Sequence, residues 1–167
     1  VRYSTAGGSF LKNAQPIAVD CSRGSMAFAH NGNLTNAEAL RERLDARGSI
    51  FQTATDTEVI VHLVAISTQR AVEDRVADAL GHVQGAYSLL CLTEQLLIAV
   101  RDPHAIRPLC LGRMADASGA YVVSSEPTSF DLIGAKFCRN LDPGEMLIID
   151  ERGPRSLRPF PPAARRA

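Results

Sequence analysis

Ala29-His30-Asn31-Gly32-Asn33-Leu34-Thr35-Asn36 is the stretch on which the reading of this chain turns. It follows the apolar run Met26-Ala27-Phe28-Ala29 and precedes a helical pattern, so it marks the passage from a strand to a helix. Asn31 offers a side-chain amide, and Gly32 offers a backbone N–H with no Cβ in the way. Two adjacent donors of this kind suit an oxyanion hole. An Asn-Gly dipeptide after an apolar run is equally a turn signal, because both residues tolerate positive φ. Thr35 and Glu38 have the spacing of a capping box, which would set the start of the next helix.

Downstream, the spacing predicts a helix over residues 36–47, with Leu40 and Leu44 stacked and Gly48 as its stop. A second capping box, Thr55-Asp56-Thr57-Glu58, opens a helix whose apolar stripe runs through Val59, Ile60, Leu63, Val64 and Ile66. A third helical pattern carries Val72, Val76, Ala79, Leu80 and Val83. After Gly85 the period becomes extended. Residues 86–92 and 96–100 read as a hairpin of strands buried on both faces. Residues 109–111 and 121–123 form another predicted pair, residues 127–133 a short helix and residues 146–149 a last strand. Upstream, residues 17–19 and 26–29 form an antiparallel pair. From about residue 159 the composition turns to Pro, Ala and Arg, which reads as a linker or frayed end over 159–167 following a domain over 1–158. Strands, then helices, then strands argue for segregated α+β layers rather than alternating βαβ units.

Composition narrows the function. With 167 residues, 46% hydrophobic and 22% charged, the chain has the make-up of an ordinary globular domain with a real core. Eighteen basic residues balance eighteen acidic ones, so no global charge points to nucleic acid or a membrane surface. No apolar run is long enough for a membrane span, and no signal-peptide pattern opens the chain. Cys21, Cys91, Cys110 and Cys138 lack zinc or redox spacing, so the default is reduced thiols in a cytoplasmic protein.

Three polar positions fall at element ends: Arg2, the Asn31-Gly32 pair and Asp56. An arginine can clamp a carboxylate, and an aspartate can hold an ammonium. Together they suit the α-carboxylate and α-amine of an amino acid. Asp56 is also explained as a first-turn acid that complements the helix dipole. Arg2-Tyr3-Ser4-Thr5-Ala6-Gly7-Gly8-Ser9 is a loop able to cradle an anion, but it matches neither the P-loop nor the dinucleotide fingerprint. Cys91 and Cys110 sit in apolar runs and read as core, and the four histidines form no ligand cluster. The residues alone lead to an amino-acid site without a nucleophile.

Several ordered motifs resemble one family. They are Val1 to Gly7, Gln15-Pro16, Ala29 to Asn36, Thr55 to Ile60, Gln84 to Ser88, Arg101 to Leu109, Ser124-Ser125-Glu126 and Pro143-Gly144-Glu145. In this order they resemble the glutaminase domain of the amidophosphoribosyltransferases, class II glutamine amidotransferases of the N-terminal-nucleophile hydrolase superfamily. The resemblance implies a four-layer αββα sandwich of two antiparallel sheets, N-terminally incomplete here. It implies a chemistry in which an N-terminal cysteine attacks the side-chain amide of L-glutamine with its own α-amine as base. The ammonia then passes to phosphoribosyl pyrophosphate to give 5-phosphoribosylamine, the first step of purine synthesis. By the same resemblance Asn31 and Gly32 match the oxyanion hole, Arg2 the carboxylate clamp and Asp56 the amine partner. Tyr3 and Thr5 fall in the glutamine-site loop.

The chain also departs from the family pattern. The family cysteine lies upstream of the Arg2-Tyr3-Ser4-Thr5 loop and is not in this sequence, so the 167 residues alone are expected to be inactive. Missing strands before Val1 would leave a sheet edge uncovered. Ala105 stands where the family usually has glycine. The phosphoribosyltransferase half, with its Mg2+, is expected beyond Ala167. An iron–sulfur cluster in some members and a homo-oligomeric full-length enzyme belong to the same expectation. Two alternatives stay open: the glutaminase domain of another class II amidotransferase, or a non-catalytic glutaminase-like module kept for binding.

Overall fold

Successive side chains along the central strands feed two different cores. Leu89, Cys91, Ile98, Val100, Met146 and Ile148 join one. Leu90, Ala99, Leu147 and Ile149 join the other. This is the period of two expected of strands covered on both faces. The computed structural model describes residues 13–21 and 24–161. Arg2, Tyr3 and Thr5 lie outside the described residues.

The elements in chain order are β1 (Ile17–Cys21), β2 (Gly24–Leu34), α1 (Ala37–Asp45), α2 (Asp56–Ile66), α3 (Val72–Leu80), β3 (Gly85–Thr93) and β4 (Leu97–Arg101). They continue with β5 (Cys110–Met114), β6 (Tyr121–Ser124), α4 (Thr128–Ile133), β7 (Ala135–Asn140), β8 (Met146–Asp150) and β9 (Gly153–Leu157). A six-stranded sheet has the order β1-β2-β3-β4-β8-β9, and a three-stranded sheet has the order β6-β5-β7. All the pairings are antiparallel.

Three apolar clusters fix the layer order. The largest joins α1, α2 and α3 to one face of the six-stranded sheet through Phe28, Leu40, Leu44, Val59, Ile60, Val64, Val76 and Leu80. The second lies between the sheets, where Ala99 and Leu147 meet Leu109, Leu111 and Leu141. The third joins the small sheet to α4 through Cys110, Ala135 and Phe130. The result is helices, sheet, sheet, helix: the four-layer αββα sandwich. α2 is buried nearly all round because helices flank it on both sides and the sheet lies beneath.

Four local expectations are corrected. The Asn31-Gly32 pair is not a turn: β2 runs on to Leu34, with Asn31 opposite Ser88 and Gly32 opposite Tyr87. Long pairing with β3 overrides the local Asn-Gly preference. Neither predicted capping box forms. The N-cap of α1 is Asn36, whose side chain instead donates to His82 O (3.0 Å) and accepts from Gln84 N–H (2.9 Å). Thr55 makes no side-chain cap, and Glu58 reaches back to accept from the N–H groups of Gln52 and Thr53, both at 2.7 Å. Finally, β7 and β9 are strands that the sequence pattern did not mark. Both lie at sheet edges and carry mostly exposed residues, and β9 includes Pro154.

Candidate functional site

Successive N–H groups of a strand in an antiparallel sheet point to opposite sides, so alternate amides of β2 face β3 or face away from it. Those of His30 and Leu34 face away: His30 N–H donates to Gln15 Oε1 (2.7 Å) and Leu34 N–H to Asp56 Oδ2 (3.1 Å). Thr35 N–H faces the other way and donates to Gln84 O (2.8 Å). Gly32 lies midway between His30 and Leu34 in this alternation. Its N–H therefore points away from β3, beyond the end of β1, whose pairing with β2 stops at Phe28. Among the described residues nothing accepts it. A free, directed N–H beside the Asn31 amide is the equipment of an oxyanion hole.

Glycine is required at this position. A Cβ on Gly32 would stand 2.0 Å from Ala86 O and 2.8 Å from His30 Nε2. The close approach of β3 is what excludes a side chain.

Asn31 points to the opposite face from His30. Its Nδ2 lies 3.4 Å from Ser125 Oγ, across a cleft of about 180 Å3 between the two sheets that also touches Ser88, Leu109 and Ser124. Ser88 Oγ donates to Pro108 O (3.1 Å), which ties this part of β3 to the loop entering β5.

Asp56, the first residue of α2, stands next to the same strand. Oδ2 accepts from Leu34 N–H, and Oδ1 lies 3.4 Å from His30 Nδ1. Burial pushes its carboxyl up, but the His30 hydrogen bond and charge and the N–H groups of Leu34 and Thr57 outweigh it. The net shift is downward, so the group stays anionic. His30 is itself buried, and Thr57 Oγ lies 3.4 Å from the same ring nitrogen. Gln15 closes the ring by donating from Nε2 to Thr57 Oγ (3.0 Å). His30 Nε2 is buried and has no hydrogen-bond partner among the described residues.

The structure thus brings Asn31, Gly32 and Asp56 together around the end of β2. Arg2, Tyr3 and Thr5 fall outside the described residues. Gln15, His30 and Thr57 were not singled out by sequence reasoning as site residues. The signal that would have found them is the alternation along β2 combined with the first turn of α2, which sets a histidine beside a carboxylate.

Two of the four cysteines, Cys91 and Cys110, are buried and make poor nucleophiles. Burial drives the Cys91 thiol up to about 12 and raises that of Cys110 as well. Among the described residues no group of three or more His, Cys, Asp and Glu is placed to hold a metal. No helix among them is long and apolar enough to cross a membrane.

The chain matches the family described as glutamine amidotransferase domain over residues 6–131. It is 51% identical over 153 residues to amidophosphoribosyltransferase 2, chloroplastic, of Arabidopsis thaliana, covering 92% of this chain and 27% of that protein. It is 46% identical over 159 residues to the amidophosphoribosyltransferase of Bacillus subtilis, covering 95% of this chain and 33% of that protein. Its fold matches that of the B. subtilis glutamine phosphoribosylpyrophosphate amidotransferase complexed with ADP and GMP. The TM-score is 0.89 at 44% identity, covering 96% of this chain and 34% of that chain. The chain therefore spans about a third or less of the length of these relatives.

Proposed function

Because the chain belongs to the glutamine amidotransferase domain family, we propose that it is the glutamine-binding part of an amidophosphoribosyltransferase. The full-length enzyme hydrolyses L-glutamine and passes the ammonia to phosphoribosyl pyrophosphate, giving 5-phosphoribosylamine. The observation that carries this reading is the Gly32 N–H, aimed past the end of β1 with no acceptor among the described residues.

In this reading a cysteine thiolate adds to the side-chain carbonyl carbon of glutamine. The carbonyl oxygen becomes an oxyanion that accepts from Gly32 N–H and Asn31 Nδ2–H. Removing one such donor costs about 10²–10³ in rate in other enzymes. The tetrahedral species collapses with loss of ammonia, and water then hydrolyses the thioester to glutamate. Asp56 supplies negative charge for the substrate's α-ammonium, and Arg2 supplies the clamp for its α-carboxylate. Tyr3 and Thr5 belong to the same substrate loop.

In this reading the nucleophile is an N-terminal cysteine of the full-length enzyme. Burial rules out Cys91 and Cys110, and no internal cysteine has a free α-amine to act as base. Mg2+ and phosphoribosyl pyrophosphate belong to the transferase half. An iron–sulfur cluster, where the full-length enzyme carries one, belongs to the same proposal. Four free cysteines fit a reducing compartment, and we assign the protein to the cytoplasm on that ground. A homo-oligomeric full-length enzyme is part of the same proposal.

The test is made in the full-length enzyme. Asn31→Ala is expected to lower glutamine-dependent phosphoribosylamine formation at least 100-fold, the scale of one lost oxyanion donor, and leave ammonia-dependent formation intact. Equal loss of both activities would overturn the assignment of Asn31.

A further inference from the structure

At the far end of β2, about five residues or roughly 17 Å from Asn31, the structure holds a second cavity. Its volume is about 430 Å3, and its walls come from Gly24 to Met26, the start of α3 and the β3–β4 hairpin. This volume lies within the range of small-molecule sites.

Arg75 lines the cavity and is 4% exposed. Among the described residues its buried Nε and Nη1 have no hydrogen-bond partner, and no carboxylate pairs with it. An uncompensated buried guanidinium is costly, so such a group calls for an anion. The acids on the cavity wall do not supply one: Glu73 is held by Arg155 at 2.8 Å, and Glu94 is exposed and makes no ion pair among the described residues.

Two further features point the same way. Arg70 also lines the cavity and adds a second cationic head. The N-cap of α3 is Ala71, which has no side chain able to satisfy the first N–H groups of the helix. An uncapped helix start leaves donors and a partial positive charge facing the space in front of it. Two arginines and an open helix N-terminus around one cavity match the chemistry of a phosphate group.

We propose that this cavity binds the phosphate of a small metabolite, free or esterified, with Arg75 as its anchor and Arg70 as its outer contact. The site is separate from the Asn31–Asp56 region and stands whether or not the glutaminase reading holds. No bond is made or broken there.

The experiment is thermal unfolding and calorimetric titration of the full 167-residue chain with inorganic phosphate and with glycerol phosphate, against sodium chloride at matched ionic strength. The expected result is a saturable rise in melting temperature with phosphate and none with chloride. Tighter binding of glycerol phosphate would identify an ester as the source, and tighter binding of inorganic phosphate the free ion. Arg75→Met is expected to weaken binding at least tenfold. In phosphate-free buffer the same variant should melt higher than the parent, because it removes a buried unpaired charge. Arg70→Ala, at an exposed position, keeps the fold and weakens binding by a smaller factor. Absence of saturable binding, or equal binding by the parent and both variants, would overturn the proposal.

Discussion

Leu34 N–H donates to Asp56 Oδ2 at 3.1 Å, so the last residue of β2 is tied to the first residue of α2. The bond fixes the carboxylate relative to the strand that carries Asn31 and Gly32. Asp56→Asn is therefore expected to act at two levels. It removes the anionic partner of His30 and, in the proposed reading, of the substrate ammonium, and it turns one of the two acceptor oxygens into a donor. Glutamine affinity in the full-length enzyme should fall at least tenfold, and stability should drop by about 1–3 kcal/mol. Titration calorimetry and urea unfolding measure the two separately. Unchanged affinity would remove Asp56 from the substrate site.

Gly32→Ala is expected to destabilise the domain by about 1–3 kcal/mol, because its Cβ would be driven onto a neighbouring backbone carbonyl. The Gly32 N–H, the proposed oxyanion donor, would shift with the strand. Glutamine-dependent turnover should fall further than stability alone explains, read at a temperature where the variant is fully folded.

Ala105 sits at φ 52, in the left-handed region that L-residues other than Asn and Asp avoid. Its loop is held by Asp102, whose carboxylate accepts from His104 N–H (2.9 Å), and by Arg101, whose Nη2 donates to Ala105 O (3.1 Å). Ala105→Gly relieves a strain of about 1–2 kcal/mol and adds about 0.5–1 kcal/mol of unfolded-state entropy. A net gain of about 0.5–1 kcal/mol is expected by chemical denaturation. A loss would show that the loop carries no strain.

Acid should weaken the domain through Glu145. Burial raises its carboxyl, but Arg139, Ser156 and the Asp142 N–H outweigh that and lower it from 4.5 to about 2. A depressed carboxyl contributes stability in full above its unfolded value and loses it as pH falls through the folded value. The window is therefore about pH 4.5 down to 2, and the amount at stake is about 3 kcal/mol. Glu145→Gln should be less stable at neutral pH, and the gap between variant and parent should narrow across this window. A constant gap would count against the assignment.

The layer order was legible because it depends on gross features: continuous apolar runs at β3 and β4, and amphipathic or fully apolar helices at α1, α2 and α3. The edge strands β7 and β9 were not legible. Their residues face solvent and carry no alternation for a sequence to display. The site divides in the same way. Asn31, Gly32 and Asp56 could be named from residue type and position, whereas the parts of Gln15, His30 and Thr57 depend on contacts across |i−j| of 15 to 42. The capping boxes failed for a related reason. Asn36 is taken by distant partners, His82 and Gln84, that no local window contains, whereas Glu58 turns to the nearby backbone of Gln52 and Thr53.

The alternation of amides along β2 also sets a pattern of solvent exchange. The N–H groups of Ala29, Asn31 and Asn33 face the β3 ladder, and those of His30 and Leu34 are sealed by side chains, so all five should retain hydrogen against deuterium for long periods. Gly32 lies among them with no described acceptor. Its amide should exchange orders of magnitude faster than its neighbours, a single quick site inside a slow strand.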